Sequence, residues 1–323
     1  MRHQSSNPTH TSAAKRSFQA RHLRSIEDLS DNDIQTIIDL SLFYGGELMA
    51  KRPLPEKLKG RTQINLFYED STRTNMSFEL AGKKLGADAI NLPVSASSVN
   101  KNEEMIDTVQ TLDAMGADAM IVRASTPGIH QFLSEHVNCA IINAGDGAHE
   151  HPTQALLDSV TIISETGTIE NKRIAICGDI RHSRVVGSDA RLFQRLGAEV
   201  RFIGPASLMP DVDKFVGIER FDNLKDGLEG CHLVMPLRMQ FERMSDKDMV
   251  DATTYFQTFG ITYRSLEYAR EDAKIMHPGP MNRGIEIEGT LADDPARSLI
   301  LKQVFHGVPT RMAILDALIN RGL

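Results

Sequence analysis

The residues of this chain best suited to chemistry are four arginines, two glutamines and one histidine, set in polar clusters behind short apolar runs. The densest cluster is Phe67-Tyr68-Glu69-Asp70-Ser71-Thr72-Arg73-Thr74. It follows the strand-like run Thr62–Phe67 and opens a helix-like run in which Phe78, Leu80, Ala81 and Leu85 fall near helical spacing. Ser71, Thr72 and Thr74 offer hydroxyls, the first helical turn offers free N–H groups, and Arg73 adds a fixed charge with a planar fork of donors. Such a strand–helix junction suits an anion, a phosphate above all. Read more plainly, the same serine and threonines are ordinary helix starters. Arg123, Arg184 and Arg238 add three more guanidinium groups, and so many forks call for a multiply anionic ligand. Gln154 and Gln240 are neutral and orienting, and His151 precedes the helix start at Pro152. No Ser–His–Asp or Cys–His arrangement is apparent. Catalysis by orientation and charge stabilisation is expected, rather than a covalent enzyme intermediate.

These clusters need a scaffold that brings them together. Strands are expected at Thr62–Phe67, Ala89–Leu92, Ala119–Val122, Ala140–Asn143, Arg173–Cys177, Glu199–Ile203, Cys231–Met235 and Ala273–Met276, with helical patterns between them. Met105, Ile106, Val109, Leu112 and Met115 keep helical spacing before Gly116, and Val185, Ala190, Phe193 and Leu196 do so before Gly197. This alternation implies an α/β chain of two doubly wound parallel-sheet domains joined by helices. The strands fall into two sets of about four, flanking a helix that begins near Pro152. The expected division falls near residue 150, and the last helix, from about Ser298 to Leu318, can pack on either domain. Ligands of open parallel sheets bind beyond the carboxyl ends of the strands. The clusters at Ser71–Thr74, Arg123, His149–Gln154, Gly178–Arg184, Pro236–Gln240 and His277–Pro280 all stand at such ends. They point into one crevice between two domains.

Composition narrows the function classes. A chain of 323 residues exceeds one typical core, and 41% hydrophobic residues suffice for two. A net charge of −7 does not favour bulk nucleic-acid binding, and no apolar run is long enough to span a bilayer. Cys139, Cys177 and Cys231 stand far apart with no CxxC pair, which speaks for a reducing, cytoplasmic setting. Residues 1–20 lack an acidic side chain and read as a disordered tail. The His149–His151 pair has no further ligand group at metal spacing, so no metal is expected. Gly178-Asp179 lacks the GxGxxG fingerprint of a dinucleotide turn. Gly279-Pro280 reads as a tight turn whose X-Pro bond can be cis.

From about Arg21 to Leu323 the chain resembles the aspartate carbamoyltransferase catalytic chains. Ser71-Thr72-Arg73-Thr74, His151-Pro152-Thr153-Gln154, Leu237-Arg238-Met239-Gln240 and His277-Pro278-Gly279-Pro280 carry the resemblance. The first two motifs also occur in ornithine carbamoyltransferases. The last two favour the aspartate enzyme, because ornithine enzymes usually carry a cysteine in the final motif. The resemblance implies transfer of the carbamoyl group from carbamoyl phosphate to L-aspartate, an early step of pyrimidine synthesis, with no cofactor. It makes residues 21–150 with 298–323 the carbamoyl phosphate-binding domain and residues 151–297 the aspartate-binding domain. Ser71, Thr72, Arg73 and Thr74 would hold the phosphate. Arg123 would contact it too and, with Thr74 and His151, polarise the carbonyl. Gln154 would orient the carbamoyl amide. Arg184, Arg238 and Gln240 would bind the carboxylates. Backbone at Gly279 and Pro280 would face the carbamoyl group and the incoming amine.

The resemblance also implies a homotrimer with shared active sites, in which a neighbouring subunit lends Ser97 or Ser98 and Lys101. A regulatory or dihydroorotase-like partner chain is compatible with it. Two places depart from the family pattern. Asn102 and Glu104 replace a glycine and a hydroxyl residue of the lysine loop, and Asn75 stands where arginine is usual. Both the Asn75 and Glu104 changes remove positive character near the phosphate end, so weaker carbamoyl phosphate binding is expected. The loop changes motivate an alternative, a catalytically silent or partner-dependent subunit. A carbamoyltransferase for another amino acid is a further alternative.

Overall fold

The computed structural model describes residues 18–92, 104–244 and 250–321. Ser30 opens the first long helix, α1 (Asp31–Met49), through a capping box with Asp33. β1 (Thr62–Phe67), α2 (Thr72–Lys84), β2 (Asp88–Leu92), α3 (Met105–Ala114), β3 (Ala119–Ala124), α4 (Ile129–Ser134) and β4 (Ala140–Asp146) follow. Then come α5 (Pro152–Thr166), β5 (Arg173–Cys177), α6 (Arg184–Arg195), β6 (Glu199–Ile203), β7 (Glu219–Phe221), β8 (Leu233–Pro236) and β9 (Lys274–Ile275). A C-terminal helix spans Ile300–Ile319.

The strands form two wholly parallel sheets, in the orders β2-β1-β3-β4 and β7-β6-β5-β8-β9. Alternation along each strand separates two cores per sheet. Ile121 and Ile142 pack with Ile37, Phe78 and Met312 on one face of the first sheet, while Met120 and Ile141 pack with Val109 and Leu133 on the other. Likewise, Cys177 and Val234 meet Leu228 and Tyr255, while Ile176 and Met235 meet Val186 and Phe193. Both sheets are therefore covered by helices on both faces, as parallel sheets require. All three cysteines are free and buried. Among the described residues, no helix is long and apolar enough to cross a membrane.

β1, β5 and β6 have the bounds that their apolar runs predict. β8 starts two residues later than expected because Cys231 N–H donates to Leu228 O in the preceding turn. β7 was not expected: three residues at a sheet edge carry too little pattern to register. It makes the second sheet five-stranded.

The C-terminal helix turns back onto α1, α2 and α5, where Tyr44 Oη donates to Asp316 Oδ2 at 2.7 Å. Across the two halves, Arg191 Nη1 meets Glu150 Oε1 at 2.8 Å and Ser188 Oγ donates to Glu150 Oε2 at 2.8 Å. Strand order reverses between β1 and β3 and between β5 and β8. Those two reversal points open the crevice.

Candidate active site

The start of α2 is free to bind. Its N-cap residue, Ser71, makes no side-chain capping bond, and the first turn holds no acidic residue. The hydroxyl is therefore not spent on the helix, contrary to the plain capping reading. Thr74 is buried one turn on. Across the crevice lies Gly279, with φ +63° and a cis bond to Pro280. A Cβ at Gly279 would stand 3.1 Å from Arg73 Cζ. Glycine thus lets the chain after β9 close onto the guanidinium that opens α2.

Arg123 is the penultimate residue of β3, and its Nη1 donates to Ala144 O at 3.2 Å. Its Nε lies 3.6 Å from Glu69 Oε2, the same oxygen that accepts from Arg184 Nη1 at 2.7 Å. One carboxylate from the first half therefore faces two guanidiniums, one from each half. Burial pulls Arg123 down to about 10; Arg184, Arg243 and Arg73 pull the same way, with Glu69 opposing them. Four cations converging on so few carboxylates leave a strong demand for an anion. Gly145, at φ +120°, makes the convergence possible: a Cβ there would lie 3.0 Å from Arg184 Nη1 and 3.3 Å from Arg123 Nη1.

His151 caps α5 and is buried. Burial first, then Arg123, Arg311 and Arg184, hold its imidazole well below the ordinary 6.5, with only Asp146 opposing. The sign is clear: each of the first four disfavours the imidazolium, so the ring is neutral at pH 7 and has an N–H to donate rather than a charge. Its ¹⁵N shifts are expected to stay those of a neutral ring from about pH 8 to about pH 6; a midpoint near the free value contradicts this. Gln154, three residues on, points its Nε2 at both oxygens of Asp158, 3.1 Å from each. His149 is drawn away to Asp146, with its Nδ1 3.1 Å from Oδ2. Among the described residues, no group of three or more His, Cys, Asp or Glu could hold a metal ion.

The loop after β8 is tied to the loop after β5. Gln240 Nε2 and Arg243 Nη1 both donate to His182 O, at 3.1 and 3.0 Å. Arg238 is less convergent than its motif suggests, because it pairs with Glu242 one turn on. Glu69, Gly145 and Arg243 join the site without having been singled out as functional. Glu69 stands in the densest motif, but its partner Arg184 is 115 positions away and no local pattern announces the pairing.

Ser97, Ser98, Lys101 and Asn102 lie outside the described residues. Glu104 is the exposed N-cap of α3 and makes no side-chain capping bond. Among the described residues, Asn75 Oδ1 takes one long 3.4 Å contact, from Asn65 Nδ2. Asn75→Arg is therefore expected to lower KM for carbamoyl phosphate by roughly threefold to tenfold. An unchanged KM in both this variant and Asn102→Gly refutes the weakened-site idea.

The carbamoyl-P binding domain of aspartate/ornithine carbamoyltransferases matches residues 21–164, and the Asp/Orn binding domain matches residues 170–318. The aspartate carbamoyltransferase catalytic subunit of Parvibaculum lavamentivorans is 50% identical over 301 residues, covering 93% of this chain and 92% of that one. That of Granulibacter bethesdensis is also 50% identical, covering 93% and 95%. Aspartate transcarbamoylase from Trypanosoma cruzi, solved with carbamoyl phosphate, superposes with a TM-score of 0.85 at 32% identity over 93% of this chain and 96% of that one. Its complex with N-(phosphonacetyl)-L-aspartic acid gives 0.83 at 31% identity, over 93% and 96%. With domain families and relatives spanning nearly its whole described length, the chain belongs to the aspartate/ornithine carbamoyltransferase family.

Proposed function

We propose that this chain transfers the carbamoyl group of carbamoyl phosphate to the amine of L-aspartate, giving N-carbamoyl-L-aspartate and phosphate, as a step of pyrimidine synthesis. The observation that carries the reading is the convergence of Arg73, Arg123, Arg184 and Arg243 at the carboxyl ends of both sheets. The relatives named above are aspartate carbamoyltransferases, and the Leu-Arg-Met-Gln and His-Pro-Gly-Pro segments support aspartate over ornithine.

Ser71, Thr72, Arg73, Thr74 and the free N–H groups of α2 hold the phosphate. Arg123, Thr74 and neutral His151 donate to the carbonyl oxygen as the amine attacks and negative charge gathers there. Gln154 orients the carbamoyl amide. Arg184, Arg238 and Gln240 bind the aspartate carboxylates, one of which takes the place of Glu242 beside Arg238. Backbone at Gly279 and Pro280 contacts the carbamoyl group and the amine. Binding both substrates in line supplies much of the acceleration. The amine proton leaves with the phosphate. In a cytoplasmic homotrimer, the neighbour's Ser97 or Ser98 and Lys101 complete the site.

Calorimetry with N-(phosphonacetyl)-L-aspartate tests this reading, because that molecule joins both halves of the ligand. It is expected to bind at least about 100-fold more tightly than phosphonoacetate or succinate alone. Equal affinity for the joined and separate halves would show that the crevice does not bind two substrates together.

A further inference from the structure

A buried carboxylate pair behind the crevice has no place in the mechanism so far. Asp158 on α5 and Asp189 on α6 are both fully buried. Asp158 is well satisfied: its Oδ1 accepts from Gln303 Nε2 at 2.7 Å, and both oxygens accept from Gln154 Nε2. Asp189 is not, since neither of its oxygens has a donor among the described residues. The two side chains face each other. Two neighbouring carboxylates shut away from water cannot both be ionised, and an acid without donors must itself be the donor.

Gln303 carries the contact onward. It sits on the C-terminal helix, and its Oε1 accepts from the backbone N–H of His277 at 2.8 Å. His277 Nδ1 in turn accepts from Gly279 N–H at 2.9 Å. Gln154 and the His277–Pro280 segment thus hang on one buried chain of hydrogen bonds.

We propose that Asp158 and Asp189 share one proton and act as a positioning pair that turns the NH₂ of Gln154 inward. The carbonyl oxygen of Gln154 is then left to accept from the NH₂ group of the carbamoyl donor. Through Gln303 the same pair sets the His277–Pro280 segment. The pair touches no substrate; it acts through Gln154 and Gln303. Burial and the charge of Asp158 keep Asp189 protonated; burial raises Asp158 as well, and the Gln303 and Gln154 amides oppose that rise by favouring its charged form. Arg311 on the C-terminal helix, which also faces Asp158, balances the one remaining negative charge. The inference rests on the carbamoyl-transfer reading of the site.

Its consequence is selectivity for an acyl donor that bears an NH₂ group. A misoriented Gln154 would present its own NH₂ to the substrate and lose preference for carbamoyl over acetyl phosphate. The test compares wild type with Asp158→Asn, Asp189→Ala, Asp189→Asn and Gln303→Met, measuring kcat, KM and inhibition by acetyl phosphate. Asp158→Asn can keep an oxygen at the Oδ1 position for Gln303 and Gln154, but it sets an amide NH₂ against that of Gln154 in place of Oδ2. It is expected to lower kcat about 30-fold, raise KM for carbamoyl phosphate and narrow the carbamoyl-to-acetyl affinity ratio about tenfold. Asp189→Ala is expected to cost about tenfold in kcat/KM, and Asp189→Asn, which keeps a donor toward Asp158, to restore most of it. Gln303→Met is expected to lower kcat about tenfold with the affinity ratio unchanged, since Gln154 keeps its partner.

An unchanged affinity ratio in a folded Asp158→Asn protein overturns the proposal. So does an Asp189→Asn protein as impaired as Asp189→Ala. If Asp158→Asn does not fold, the Asp189 comparison decides. Wild type inactive with aspartate would instead bring down the underlying functional reading.

Discussion

Arg123→Ala is expected to lower kcat by about 10³-fold without unfolding the protein. The expected loss is large because Arg123 sits where both halves of the site meet, beside Glu69 and Arg184 and within the field of Arg73 and Arg243. It is proposed to contact the leaving phosphate and the carbonyl together, so its removal withdraws donors just as charge develops. Its cost to stability is small, because among the described residues it gives up one 3.2 Å hydrogen bond, to Ala144 O, and the long 3.6 Å pair with Glu69. The loss of repulsion among neighbouring guanidiniums offsets that bond. The melting temperature is therefore expected to change by no more than about 3 °C in either direction. Arg123→Lys keeps the charge but loses the planar fork, and should recover only a minor part of the activity. A kcat within tenfold of wild type in Arg123→Ala would remove this arginine from the reaction centre.

The second large effect is expected at a residue with no side chain. Gly145→Ala places a methyl group 3.0 Å from Arg184 Nη1, 3.1 Å from Arg184 Cδ and 3.3 Å from Arg123 Nη1. Neither guanidinium can stay where it is, and one is proposed to bind phosphate and the other a carboxylate. A φ of +120° also strains any residue with a Cβ. The cost to stability is about 1–3 kcal/mol, and kcat/KM is expected to fall about 100-fold, with KM rising for both substrates. A variant that loses stability but keeps its kinetic constants would mean that the two guanidiniums move aside without consequence.

Much of the architecture was legible because parallel βα units write their signal locally. An apolar run, a polar junction and a helical stripe recur in order, and β1, β5 and β6 could be bounded from that alone. The positions of Ser71, Arg73, Arg123, His151 and Arg184 in the fold were legible for the same reason: each stands near a strand end or helix start. Contacts made across the chain were not. Glu69 reads as one acid beside Asp70 until the second half brings Arg184 to within 2.7 Å of it. Asp158 and Asp189 read as polar positions on amphipathic helices, where solvent is the ordinary partner, yet α5, α6 and the C-terminal helix close over them. Arg238 was expected to face the ligand, and its ion pair with Glu242 depends on the short helical turn that the loop adopts after Gln240.

The most direct test of the central claim is carbamoyl aspartate formation by the purified chain alone, with ornithine as the control acceptor. The expected result is turnover with aspartate and none with ornithine. Carbamoyl transfer to ornithine, or no transfer to aspartate by the properly folded protein, would contradict it; the second outcome would point to a partner-dependent or silent subunit.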